Sequence, residues 1–190
     1  MGLFDGLFKE LKNTVGKEIT NAVKYETKTF TFDRIPATLD ELKALPEASL
    51  KDPFATAALT ILALNAYATN ADACIEMMRF LKGPGELFPR EIQFLADRYR
   101  EAKNAPKSYF AGAVPANDYT ADQPFKLTFK EGAHSKDLAG YFKAFITSGG
   151  ADNDRYVILR NKPSTGEWFL HEYEGLLAGI KTAKSDDPWA

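Results

Sequence analysis

The sequence predicts an α+β protein: an N-terminal helical half packed on a C-terminal antiparallel sheet of four or five strands. Up to about Asn104, apolar residues recur at helical spacing; beyond it, aromatic and β-branched residues alternate with polar ones. The candidate strands are short and follow one another with only turn residues between them, which favours antiparallel pairing. Helices first and strands afterwards give segregated layers rather than an α/β alternation. A small β-barrel with appended helices is the alternative that the same strands allow.

The chain opens MGLFDGLFKELKNTVGKEI. Leu3, Phe4, Leu7, Phe8, Leu11, Val15 and Ile19 fall on one broad helical face, a candidate docking face. Gly6 and Gly16 each cost about 1 kcal/mol relative to alanine inside a helix, so this stripe needs a surface to lie on. That surface is the protein's own body or a twin, a different protein, or a bilayer. Residues 1–28 hold five lysines and four acids, a weakly basic balance for a membrane-surface helix. Glu18 also falls within the apolar face, where acyl chains would meet a carboxylate. An N-myristoylation pattern fails, because Gly6 stands where serine or threonine is required. Residues 1–28 are therefore set apart as an amphipathic helix, ahead of a single domain over 29–190. That domain has a helical part over 38–103 and a strand-rich part over 107–182.

The helical part is well punctuated. Thr38 and Glu41 form a capping box for a short helix that stops before Pro46. Asp52 and Pro53 open the next helix, which is apolar on most faces to about Ala68 and so belongs in the core. Asn70 or Ala71 starts a third, ADACIEMMRFLK, closed by Gly83-Pro84-Gly85. Pro89 opens a fourth, PREIQFLADRYREA. Ala57 to Leu64 and Ile75 to Leu81 are expected among the most buried residues.

The strand candidates are SYFAGA (108–113), FKLTFK (125–130), YFKAFITS (141–148), RYVILR (155–160) and EWFLHEY (167–173). NKPSTG joins the last two as a hairpin, and Gly149 to Asp154 make another tight connection. Trp189, in the polar tail, is a candidate docking plug.

The runs RIPATLDELKALPEASLKDPFATAALTILAL, CIEMMRFLKGPGELFPREIQFLADR, SYFAGAVPANDYT and GADNDRYVILRNKPSTGEWFLHEYEGLLAGI resemble a family of uncharacterised bacterial proteins. The family is a domain of unknown function, and the resemblance covers roughly residues 30–190. It implies a bacterial, single-unit domain and transfers no activity. Similar sequences carry serine ahead of the proline in PREIQFL; Phe88 stands there instead, which removes a capping oxygen.

Composition excludes several functions. Twenty-four basic against 26 acidic residues leave the chain near neutral, without the basic excess of a nucleic-acid binder. A single cysteine, Cys74, rules out an intramolecular disulfide, and its helical neighbours mark it as a small buried hydrophobe. No run of about 20 apolar residues spans a bilayer. Asp5, Lys9, Glu10 and Lys12 interrupt any secretory signal, so a cytoplasmic location is expected.

No motif names a reaction. Two histidines, His134 and His171, and one cysteine cannot build a structural zinc site, so no metal and no cofactor is expected. A grouping of Ser135, His171 and Asp152 lacks nucleophile-elbow spacing. Asp152 and Asp154 lack the spacing and the glutamate of a calcium loop, and no phosphate-cradling motif is present. The strand aromatics are better used in packing against the helices than in stacking bases, because few basic residues accompany them. The reading is a non-catalytic intracellular binding or interaction domain that docks or self-associates through its opening helix. The expected partners are a second copy or another protein, less readily a membrane surface, and not nucleic acid. The alternative is an enzyme or small-ligand binder with a cleft near the C-terminal strands, where His171, Glu172 and Arg155 are the weak catalytic candidates.

Overall fold

The computed structural model describes residues 24–189, and at its centre lies a helix buried on every side. The opening stripe from Leu3 to Ile19 lies outside the described residues. The central helix, α2 (Pro53–Ala66), follows α1 (Leu39–Lys43) and precedes α3 (Ala71–Lys82) and α4 (Pro89–Ala102). Every residue of α2 from Phe54 to Ala66 is buried. Its polar side chains donate inside the core: Thr60 donates to the Thr56 carbonyl, and Asn65 donates to the carbonyls of Ile61 and Pro106, while the Asn65 Oδ1 has no partner among the described residues. A helix apolar all round can only be stable when wrapped, and a curled sheet wraps this one.

The sheet has five antiparallel strands in sequential order: β1 (Thr27–Phe32), β2 (Phe125–Lys130), β3 (Tyr141–Ile146), β4 (Arg155–Lys162) and β5 (Glu167–Glu172). It curls into half a barrel, and α2 lies in the trough against all five strands. The inner face carries Phe32, Leu127, Phe129, Phe142, Ala144, Val157, Leu159 and Leu170, all buried. Alternate residues point outward, as the two-residue period of a strand requires.

The α+β reading holds, with two corrections in how the sheet is made. SYFAGA is not a strand. Ala105–Tyr109 is a 3-10 turn, and Ser108, Tyr109 and Phe110 are buried consecutively, which no half-buried strand permits. The fifth strand is β1, TKTFTF, to which the sequence reading assigned no element. Its first residues, Thr27 and Lys28, fall within the range assigned to the opening helix. Its alternation of threonine with Phe30 and Phe32 is a strand signal, overlooked because the helical part separates it from its partner β2.

The helix boundaries follow their caps. Thr38 accepts the Glu41 N–H while Glu41 reaches back to the Ala37 N–H. Asp52 caps α2 at the Phe54 N–H, and Asn70 caps α3 at the Ala73 N–H. Cys74, Met77, Met78 and Leu81 of α3 face the core, whereas Ile75 and Phe80 are only partly buried. Gly83 ends α3 with φ +52°, and a Cβ there would lie 2.2 Å from the Phe169 ring. Trp189 is 93% exposed, so it plugs nothing within the described residues.

Candidate functional site

The pairing of β4 with β5 slips by one residue: Leu159 faces Leu170, but Ile158 faces Glu172. His171 is the extra residue, the apex of a β-bulge. A bulge re-aims its side chain, and here the imidazole lies on the outer face, edge-on to Tyr141 with ring centroids 5.0 Å apart and planes at 71°. Tyr141 in turn has the Arg160 guanidinium over its ring, at 5.7 Å from the centroid.

Two depressions meet at His171. One, of about 300 Å³, is lined by His134, Ser135, Asp137, Leu138, Tyr141, Lys143, Ile158, His171 and Glu172. The other, of about 380 Å³, lies towards the β4–β5 turn and the end of α3, with Arg160, Asn161, Lys162 and Phe169 in its wall. Both are open hollows on the sheet surface; His134, His171 and Glu172 are exposed. The structure thus brings together two of the three weak candidates, His171 and Glu172, and adds His134, Asp137, Tyr141 and Lys143.

Arg155 is elsewhere. It sits at the start of β4, three residues from Ile158, and donates to the carbonyls of Asn153, Ala178 and Gly179 at 3.1–3.3 Å. It is a clamp on the chain after β5. Asp152 is also remote, paired with Lys181 at 2.6 Å, so the Ser135–His171–Asp152 grouping does not form. Ser135 is engaged twice: its hydroxyl donates to the Lys143 carbonyl at 2.6 Å and accepts the Gly132 N–H at 2.9 Å. His134 Nδ1 lies 2.8 Å from Asp137 Oδ2, with the imidazole in open solvent.

Charge on this face is unevenly partnered. Elsewhere lysines meet carboxylates: Lys28 with Asp52, Lys82 with Glu91, Lys130 with Asp154, Lys136 with Glu131. Among the described residues, Lys143, Arg160 and Lys162 have no carboxylate within ion-pair distance. Lys143 instead lies over the Tyr156 ring at 4.7 Å. Among the described residues, no three His, Cys, Asp or Glu side chains converge as a metal-ligand cluster.

Residues 34–184 match the profile of the family described as Domain of unknown function (DUF6935). The chain belongs to this family. The DUF6935 match takes in α1 to α4 and strands β2 to β5, and it leaves β1 and residues 1–33 outside. The His171 hollow therefore lies wholly within the DUF6935 domain. Neither curated proteins nor solved structures give a significant match.

Sequence reasoning missed Tyr141 and Lys143 as neighbours of His171. Strand alternation places Tyr141 and Lys143 on one face, but only the pairing register, with its bulge, sets them beside His171.

Proposed function

We propose that this domain works by binding and not by catalysis, as an intracellular bacterial protein. In this reading it has two contact surfaces. The outer face beside His171 takes a ligand that joins an acidic group to a flat apolar body. The stripe from Leu3 to Ile19 docks on protein, its own or a partner's.

The observation that carries the ligand reading is Arg160: a guanidinium without a carboxylate partner among the described residues, held over Tyr141, which is itself edge-on to His171. Arginine offers an acid paired donors, and the ring and the Ile158 side chain offer a flat partner an apolar seat. The groups with nucleophilic chemistry support the non-catalytic part. Burial pushes the Cys74 thiol up to about 12, and Ser135 has its hydroxyl committed to the Gly132 N–H and to the Lys143 carbonyl of β3. No helix among the described residues is long and apolar enough to cross a membrane.

The test is a titration with phenyl phosphate, followed through the two histidine ring signals by NMR. Saturable shifts of His171, reduced about tenfold in affinity by Arg160→Ala, are expected. Inorganic phosphate, which lacks the ring, should bind more weakly. Shifts that do not saturate at millimolar phenyl phosphate, or that survive Arg160→Ala unchanged, would overturn the assignment.

A further inference from the structure

At the end of the half-barrel where α2 begins, a third hollow opens, of about 350 Å³. Its floor is aromatic. Phe54 of α2 meets Phe142 of β3 edge-on at 4.9 Å, and Phe142 meets Trp168 of β5 at 6.1 Å. Leu138, 61% exposed, stands on its rim. Two lysines flank it, Lys28 over the Phe54 ring and Lys136 over the Phe142 ring.

The described chain begins at this rim. The Glu26 N–H donates to Glu131 Oε2 at 3.2 Å, and the Glu131 N–H donates to the Glu26 carbonyl at 2.8 Å. Glu26 and Glu131 both line the hollow. From Lys24, five residues of extended chain reach back to Ile19, a span of at most about 17 Å. Whatever precedes Lys24 is thus tethered at the mouth of an aromatic cleft, and what precedes it is the apolar stripe.

We infer that the C-terminal end of that stripe, Val15 and Ile19, seats in the Phe54–Phe142–Trp168 cleft of the same chain. A tether of a few residues holds the stripe at a millimolar effective concentration, which a second copy or a bilayer in dilute solution does not match. Docking there covers Leu138, 61% exposed, and the part-exposed Trp168, the Phe54 and Phe142 rings beneath being buried already. The inference deepens the docking half of the proposed function and is independent of the ligand at His171.

Trp168 is a built-in reporter. The chain has two tryptophans, and the other, Trp189, is almost fully exposed and replaceable by phenylalanine. In full-length protein carrying Trp189→Phe, emission and acrylamide quenching are compared with and without Val15→Asp and Ile19→Asp. The expected result is a red shift with at least a twofold rise in quenching, the same at all protein concentrations, with unchanged circular dichroism. Unchanged emission and quenching would overturn the inference. A difference that appears only at high concentration, with doubled mass, would assign the cleft to a second copy and overturn it too. So would full-length protein that sediments with phosphatidylserine vesicles while Trp168 remains as quenchable as in the double variant. As a second measure, Ile19→Cys with Leu138→Cys should be joined within one chain by a short bis-maleimide, Cys74 being buried. Cross-links only between chains, or none, would count against the assignment. Failure of either measurement leaves the phenyl phosphate titration unaffected, so the two readings fail separately.

Discussion

Lys82 Nζ lies 2.5 Å from Glu91 Oε1, and the two side chains are only 10% and 7% exposed. The pair ties the last residue of α3 to the first turn of α4. The second Glu91 oxygen accepts the Phe88 N–H at 2.9 Å, the reciprocal half of a capping box, while the Glu91 N–H, with no capping side chain at Phe88, donates to the Phe88 carbonyl at 2.9 Å. Phe88 itself is 45% exposed and lies against the Arg90 guanidinium.

Removing one partner leaves the other charge buried and alone. Lys82→Met or Glu91→Gln should therefore cost about 3 kcal/mol, measured by urea unfolding. Changing both, Lys82→Met with Glu91→Leu, should recover much of the loss, because no charge is then stranded. A double variant as unstable as the sum of the singles would show that the two charges are not coupled and would contradict the stranded-charge account.

Tyr109 and Tyr173 are both buried, but among the described residues only the Tyr109 hydroxyl has a partner. Tyr109 donates to the Leu176 carbonyl at 2.7 Å, whereas no atom of the described residues hydrogen-bonds the Tyr173 hydroxyl. Tyr109→Phe strands a buried carbonyl and should lower stability by about 1–1.5 kcal/mol. Tyr173→Phe should change it by less than about 0.5 kcal/mol. Equal losses in thermal melts would contradict the contrast.

Burial raises the Cys74 thiol to about 12 from its ordinary 9. The folded protein should resist iodoacetamide at pH 8 and react at the unfolding rate in urea. The linkage has a definite sign. Above pH 9 the unfolded chain loses this proton while the folded one keeps it, so stability falls as pH rises from 9 towards 12. Cys74→Ala should flatten that alkaline decline, read from urea midpoints between pH 8 and pH 10.5.

The acid side is governed by carboxylates that hold β2 to its neighbours. Lys130, and after it Thr147, lower the Asp154 pKa against an opposing effect of burial. Lys136, and then the Glu26 N–H, do the same for Glu131. A lowered folded pKa means stability that is present above the ordinary carboxylate range, near 4, and lost as pH falls through the folded value. The urea midpoint should therefore drop between pH 5 and pH 2, and drop less in Asp154→Asn. Both groups are partly exposed, so each contributes under about 1 kcal/mol.

The capped helices were legible in the sequence because their signals are local: Thr38 with Glu41, Asp52 before Pro53, Asn70 and then Gly83. Strands β2 to β5 were legible because alternation and turn residues lie within a few positions of one another. The buried placement of α2 followed from its being apolar on every face. β1 was overlooked because a strand of six residues is marked chiefly by its partner, and that partner lies 93 positions further along, from Phe32 to Phe125. SYFAGA misled because its aromatic and small residues suit a strand, yet three consecutive side chains are drawn into the core.

The sites divide the same way. Periodicity alone places Leu3, Phe4, Leu7, Phe8, Leu11, Val15 and Ile19 at helical spacing, and composition alone limits the chain to one thiol and two histidines. Only the tertiary structure decided that His171 stands on a bulge beside Tyr141 and Arg160, that Arg155 is a clamp, and that an aromatic cleft opens where the described chain begins. The reason is physical. A helical face or a cap is written in residues a few positions apart, whereas a bulge, a cross-strand neighbour and a cleft are relations between residues that only chain pairing and packing bring together.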